Sequence, residues 1–241
     1  MISYTAITRI GDRKRNEDST LCAERGGRYC FAVADGLGGH GKGDIASRIL
    51  TGAFESALNG GPSDTGAFLA EAFDSAQDTI ISAQKASHAT LEMKTTAVAL
   101  AIFEGRCRWG HIGDSRLYLF EKNKARTRTL DHSVAQMLAI TKDIKERDIA
   151  RHPDRNRLLR ALGIEWGSSR YELSDERDIS DCQAFLLCSD GFWEWIEEKK
   201  MQACLKKSLS VDEWLSFMAK EVECNGKGKD MDNYSAVAVF C

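Results

Sequence analysis

Asp190-Gly191 closes the apolar run Ala184–Cys188, and the same arrangement recurs along the chain. Asp35-Gly36 ends the run Phe31-Ala32-Val33-Ala34, and Gly113-Asp114-Ser115 follows Cys107 to Ile112. Glu17-Asp18 sits in the turn after Met1 to Ile10, and Asp232-Asn233 precedes the apolar stretch Tyr234 to Phe240. Carboxylates thus recur where buried strands must meet turns. A buried ionised carboxylate is costly unless something compensates it. Hard divalent cations, which take several oxygen ligands, compensate such a cluster as a group. The residue types therefore point to a metal site at one end of a sheet core. Two divalent ions bridged by an aspartate would make the water between them acidic and neutralise charge on a phosphoryl group under attack. An arginine nearby would hold the remaining phosphate oxygens bidentately. Arg13, beside Asn16-Glu17-Asp18, is the candidate; spacing alone weighs this role evenly against an ordinary surface residue in the charged turn Asp12-Arg13-Lys14-Arg15.

These turns need a sheet to hold them. Strands are predicted over Ser3–Ile10, Ser19–Ala23, Arg28–Ala34, Thr95–Phe103, Arg106–Ile112, Arg116–Glu121, Ala125–Leu130, Gln183–Cys188 and Tyr234–Phe240. Phe103-Glu104-Gly105-Arg106 and Phe120 to Lys124 read as hairpin links between antiparallel neighbours. Helical periodicity appears over Asp44–Leu58, Thr65–Gln84 and Val211–Val222, the last with Ser210 as its N-cap. Runs of strands and runs of helices, without βαβ alternation, predict an antiparallel sheet core with helical layers. No Pro/Gly/Ser-rich linker divides the 241 residues, so one domain, 1–241, is expected. The charged stretch Lys142 to Asp148 reads as a solvated surface helix or as a mobile flap over the site.

Composition narrows the class. Hydrophobic residues make up 43% of the chain, enough for a real core, and the net charge of −3 gives no global field for nucleic acid. No apolar run of about 18 residues predicts a membrane span. The N-terminus lacks the pattern of a secretory leader. Eight cysteines are scattered without a Cys-x-x-Cys pair, which favours reduced thiols in a cytoplasmic setting over a disulfide framework or zinc site.

Gly36-Leu37-Gly38-Gly39-His40-Gly41 fits a dinucleotide fingerprint, and Gly36 to Lys42 nearly fits a phosphate loop. Both are rejected. Gly43 stands where a phosphate loop needs a hydroxyl, and Asn59 to Asp64 leads to another helix where the dinucleotide unit needs a parallel strand. The glycines instead suit close backbone approach to a metal or phosphate. Asp131-His132-Ser133 has triad residue types, but adjacent residues cannot generally meet as a triad, so a turn or N-cap is expected. Trp193 and Trp195 read as packing under the site, and His111 as a satisfied core histidine.

Eight segments in order carry a resemblance to the metal-dependent Ser/Thr protein phosphatases of type 2C, in their compact bacterial form. They are Gly11 to Asp18, Val33 to His40, Thr95-Thr96-Ala97, Gly110 to Arg116, Leu130 to Val134, Arg155 to Gly163, Cys188 to Glu194, and Asp232 to Ser235. The resemblance implies an α+β fold, a four-layer α-β-β-α sandwich of two antiparallel sheets flanked by helices, with a flap at about 131–157. It implies two Mn²⁺ or Mg²⁺ ions and a third, weaker one. Asp35 would bridge the pair, the Gly36 carbonyl would bind one ion, and Asp190 and Asp232 the other. Glu17 and Asp18 would hold metal-bound waters, Asp114 with Asp190 the third ion, and Arg13 the substrate phosphate; Arg13, Asp35 and Asp190 form the catalytic set. Leu37 stands where some members carry a histidine proposed as general acid. The proton would then come from a water or from His40, for which a plain loop role is the favoured expectation. The implied activity is hydrolysis of phosphoserine and phosphothreonine in signalling proteins, opposing a Ser/Thr kinase, with a forkhead-associated-domain protein as a further expected target. A cytoplasmic monomer without nucleic-acid or membrane partners is expected. The competing readings are a two-metal phosphoesterase of small molecules and a catalytically silent phosphoprotein-binding module.

Overall fold

Alternation of side chains across the strands decides the architecture. In Ala97–Phe103, Val98, Leu100 and Ile102 point one way and Ala97, Ala99, Ala101 and Phe103 the other, and all seven are buried. A strand buried on both faces must lie between two layers. The computed structural model shows which; it describes residues 1–37, 42–88, 92–167 and 170–241.

In chain order, β1 (Ser3–Arg9), β2 (Ser19–Arg25), β3 (Arg28–Ala34) and the short β4 (Gly36–Leu37) precede helices α1 (Gly43–Gly60) and α2 (Thr65–Ser87). A meander follows: β5 (Lys94–Thr95), β6 (Ala97–Phe103), β7 (Arg106–Ile112), β8 (Arg116–Glu121) and β9 (Lys124–Arg128). Helix α3 (Val134–Ile140) opens the connecting segment that leads to β10 (Glu172–Leu173) and β11 (Arg177–Asp178). The chain then runs through β12 (Ala184–Cys188), α4 (Asp190–Trp193), α5 (Glu198–Lys207), α6 (Val211–Gly226) and β13 (Tyr234–Phe240).

One sheet has the order β1-β13-β12-β8-β9 and the other β10-β7-β6-β3-β2, with β11 beside β7, and every pairing is antiparallel. Their facing sides bury Phe31, Val33, Leu100, Leu119, Phe185 and Val237. The outer face of the second sheet is paved with alanines (Ala32, Ala34, Ala97, Ala99, Ala101), which let α1 and α2 approach and fill the layer with Phe54, Phe68 and Phe73. Phe54 and Phe73 meet edge to face at 5.1 Å, the arrangement aromatic quadrupoles favour. On the other side α5 and α6 cover the first sheet with Met201, Trp214, Leu215 and Met218. The result is the expected four-layer α-β-β-α sandwich. Among the described residues no helix is long and apolar enough to cross a membrane.

The capping chemistry holds: Asp64 accepts from Ala67 N, Ser133 from Gln136 N and Ser210 from Glu213 N. One expectation is corrected. Lys142 to Asp148 forms no surface α-helix; turns lead to a 3-10 turn, Glu146–Arg151, because Ile149 is buried and Glu146 pairs with Arg128. The far end of this segment is fixed at Gly163. Gln77 accepts from Gly163 N and Gln84 donates to its carbonyl. Gly163 has φ +84°, and a Cβ there would lie 2.4 Å from the Met93 carbonyl oxygen.

Candidate active site

Strand ends deliver the acidic residues to one place. Asp35 follows β3, Asp114 follows β7, Asp190 follows β12 and Asp232 precedes β13. All four, with Arg13, Lys14, Arg15, Glu17, Gly36, Asn156 and Leu158, line a cavity of about 640 Å³ at this end of the sandwich. Every metal and catalytic candidate from the sequence is brought to this end; Asp18 alone sits behind the wall.

Three turns are tied into one body behind the carboxylates. The Gly36 amide donates to the Glu17 carbonyl at 3.2 Å. A Cβ at Gly36 would fall 2.4 Å from the Gly43 carbonyl and 2.6 Å from that of Glu17, so only glycine allows this approach. Asp35 N donates to Thr96 Oγ1, which shares a 2.6 Å hydrogen bond with Ser115 Oγ beside Asp114. Asn233 accepts from Glu17 N and donates to the Ile10 and Arg15 carbonyls, joining the first loop to the last.

Burial together with mutual repulsion raises the pKa of Asp35, Asp114 and Asp190 above the ordinary carboxylate range. Asp35 and Asp190 lie within hydrogen-bonding reach of each other, which two ionised carboxylates would resist. Burial pushes Asp18 up to about 7, against the hydrogen bond it receives from Ser189. Ser189 Oγ donates to its Oδ2 at 2.9 Å, while its Oδ1 is buried without a partner. Among the described residues no Lys, Arg or His forms an ion pair with Asp35, Asp114 or Asp190. Crowded, largely buried carboxylates without a cationic side-chain partner fit hard divalent cations. Burial likewise raises the pKa of Glu17.

Arg13 is held by carboxylates. Its Nε and Nη2 donate to the two Asp232 oxygens, each at 3.0 Å, and its Nη1 lies 3.6 Å from Asp230. This is the fork that would fit a phosphate, engaged by a wall residue.

Several contributors lie in the quoted segments but have no role legible in the sequence. Glu194 is held by Arg155 Nε at 2.5 Å, and burial first, then Asp190, lifts its pKa to about 7. Ser189 and Asn233 flank the candidate ligands, and that adjacency is the signal that could have found them. Nothing local marks Arg155 and Glu194 as partners, 39 residues apart.

The supporting residues behave as expected. Trp193 is buried beneath the site, donates to the Asp114 carbonyl at 2.9 Å, and carries the Arg116 guanidinium 3.4 Å over its ring. Arg116 in turn makes a buried bidentate pair with Asp131 at 2.7 and 2.6 Å. His132 grips Gly113 twice, accepting from its N at 3.1 Å and donating to its O at 2.8 Å, and so sets the turn that carries Asp114. His111, His132 and Glu172 are close enough to surround an ion. Yet His132 Nδ1 accepts from Gly113, so its Nε2 carries the hydrogen and donates to Glu172 at 3.1 Å. His111 Nε2 donates to the Leu130 carbonyl at 2.8 Å. The rings stack at 4.6 Å as neutral packing, and burial with the neighbouring His111 depresses the His132 pKa to about 4. The glycine-rich loop beyond Leu37, with His40, lies outside the described residues.

Known proteins are similar to this chain in sequence and in fold. A serine/threonine phosphatase, stp, of Listeria welshimeri is 32% identical over 210 residues, which cover 83% of this chain and 81% of that one. The structure of the serine/threonine phosphatase PstP/Ppp of Mycobacterium tuberculosis superposes with a TM-score of 0.85 at 27% identity, covering 99% of this chain and 98% of that one. The catalytic domain of PstP in complex with two manganese ions gives 0.83 at 26%, covering 99% and 97%. The family "Protein phosphatase 2C" matches residues 8–233. With nearly the whole chain matched, and the acidic turns inside the match, the chain belongs to the protein phosphatase 2C family.

Proposed function

We propose that this protein hydrolyses phosphoserine and phosphothreonine in signalling proteins, with two Mn²⁺ or Mg²⁺ ions at the acidic cavity. The observation that carries the reading is the convergence of Asp35, Asp114, Asp190 and Asp232 on one cavity with Arg13 at its wall. Asp35, the Gly36 carbonyl, Asp190 and Asp232 would hold the ions, Asp114 with Asp190 a third, and Glu17 and Asp18 their waters. Such ions supply a hydroxide near neutral pH and neutralise charge on the phosphoryl group. Arg13 then holds and orients the phosphate, and Asn233 and Thr96 keep the turns from moving apart. Lys14, Arg15, Asn156 and Leu158 line the entrance, so residues 131–157 and the stretch just beyond form the rim that a substrate protein meets.

A Ser/Thr kinase acting on the same proteins is the proposed counterpart, a forkhead-associated-domain protein a proposed target, and the cytoplasm the proposed location. Phosphate release from a phosphothreonine peptide tests the reading. Release with Mn²⁺, its loss with EDTA and little release from a nucleoside monophosphate are expected. Nucleotide preference would favour a small-molecule phosphoesterase, and peptide binding without release a silent binding module. Asp190→Asn should bind no Mn²⁺ by calorimetry and release no phosphate, with an unchanged circular dichroism spectrum; an active variant would remove Asp190 from the ion site.

A further inference from the structure

Far from the acidic cavity, two thiols face each other. Cys107, in β7, is fully buried, and its Sγ lies 3.9 Å from that of Cys182, which follows the 3-10 turn Ile179–Asp181. Cys182 also lines a second cavity, of about 940 Å³, together with Arg106, Lys122, Arg177 and Asp181. Cys182 is itself buried, with 6% of its surface exposed, but of the two thiols it alone borders that cavity.

We propose that Cys107 and Cys182 form a reversible disulfide, with Cys182 as the thiol that reacts first with a peroxide. The pair needs to close from 3.9 Å to about 2.05 Å to form the bond. The two thiols share a hydrogen bond in which either sulfur can donate; that bond, with Arg177 nearby, lowers the Cys182 pKa, which favours the nucleophilic thiolate. Cys30 and Cys188, by contrast, are fully buried and pushed up by burial. In the first step the Cys182 thiolate attacks one oxygen of hydrogen peroxide. The O–O bond breaks, leaving a sulfenic acid and a hydroxide that takes a proton to become water. In the second, Cys107 sulfur attacks the Cys182 sulfur, the S–O bond breaks, and the oxygen leaves as water with the Cys107 proton. Two thiols and one peroxide give one disulfide and two waters.

The bond would close a loop between residues 75 apart and tether β7 to the chain entering β12. It would lie at the end of β7 away from Asp114, since Cys107 and Ile112 are five strand steps apart, roughly 17 Å. It should therefore raise thermal stability and leave turnover alone. The inference is independent of the phosphatase reading.

The test is to treat the full chain with hydrogen peroxide and map peptides without reduction. A Cys107–Cys182 linked pair, two hydrogens lighter than the separate peptides and released by dithiothreitol, is expected, with a higher Tm for the oxidised protein. Cys182→Ser should abolish the link. Cys107→Ser should leave Cys182 as a sulfenic acid that dimedone traps; if that variant fails to fold, the wild-type map and Cys182→Ser decide alone. Sulfinic acid at Cys182 with Cys107 untouched, a link from Cys182 to Cys241, or no modification would overturn the proposal.

Discussion

Arg13 and Asp232 hold each other across 219 residues of sequence, and both are claimed by other partners in the proposed chemistry. A cation on Asp232 withdraws charge from the Arg13 pair; a phosphate on Arg13 releases Asp232. The two ligands should therefore assist one another, and linkage makes the factor reciprocal. Inorganic phosphate should tighten Mn²⁺ binding measured by calorimetry. Arg13→Ala should erase this coupling and cost about 10²-fold in kcat/KM on a phosphopeptide, the scale seen when one charge-stabilising donor is lost. The buried carboxylates add a pH dependence. Asp18 rises from 3.8 to about 7 in the metal-free fold, so the folded chain holds that proton more tightly than the unfolded chain. Its contribution to stability is full below pH ~4 and is lost as pH rises through about 7. Metal-free protein should show a falling Tm across that window, and Asp18→Asn should flatten the fall. Mn²⁺ binding, which needs the carboxylates ionised, should strengthen as pH rises.

At the scale of elements, the site depends on turns held from behind. Gly163 anchors the end of the segment that carries Asn156 and Leu158, through Gln77 and Gln84 of α2. Gly163→Ala would meet both a positive φ and a 2.4 Å clash with backbone. We expect a cost of about 1–3 kcal/mol in urea unfolding, and a larger change in KM for a phosphoprotein than for a small phosphate ester. The strands and the two long N-terminal helices were legible because their patterns are strong: period two in Ala97–Phe103, and Phe68, Ala72, Ala76 and Ile80 in α2. Helix α5 carries no comparable pattern, since only Met201, Cys204 and Leu205 are buried in a run otherwise rich in Lys. The five acidic turns were legible as a group because each abuts an apolar run. Contacts such as Arg155 with Glu194, or Ser189 with Asp18 at a separation of 171, exist only once the sandwich closes. The Lys142–Asp148 stretch shows little of its fold because its one apolar residue, Ile144, is only partly buried, and the buried anchor Ile149 lies just beyond it.

At the scale of the molecule, the three packed cores between the four layers divide the labour. Trp214 is fully buried in the layer of α5 and α6, donates to the Met201 carbonyl and meets Phe120 edge to face at 5.1 Å. Trp214→Ala should cost about 3–5 kcal/mol in chemical unfolding. Mn²⁺ affinity of the folded fraction should hardly change, because the ring is remote from the cavity wall. The order β1-β13-β12 has a further consequence. The strand that follows Asp232 does not border its sheet; it is inserted between the first strand and the twelfth. During synthesis on a ribosome, Arg13, Asp18, Asp35 and Asp114 all emerge well before Asp232 and Tyr234–Phe240. Until that hairpin-less strand threads into its slot, β1 has no neighbour in its sheet and the acidic ring lacks a member. A nascent or prematurely terminated chain can thus own most of the proposed site residues and still be inert, which would make activity a late proof that folding has finished.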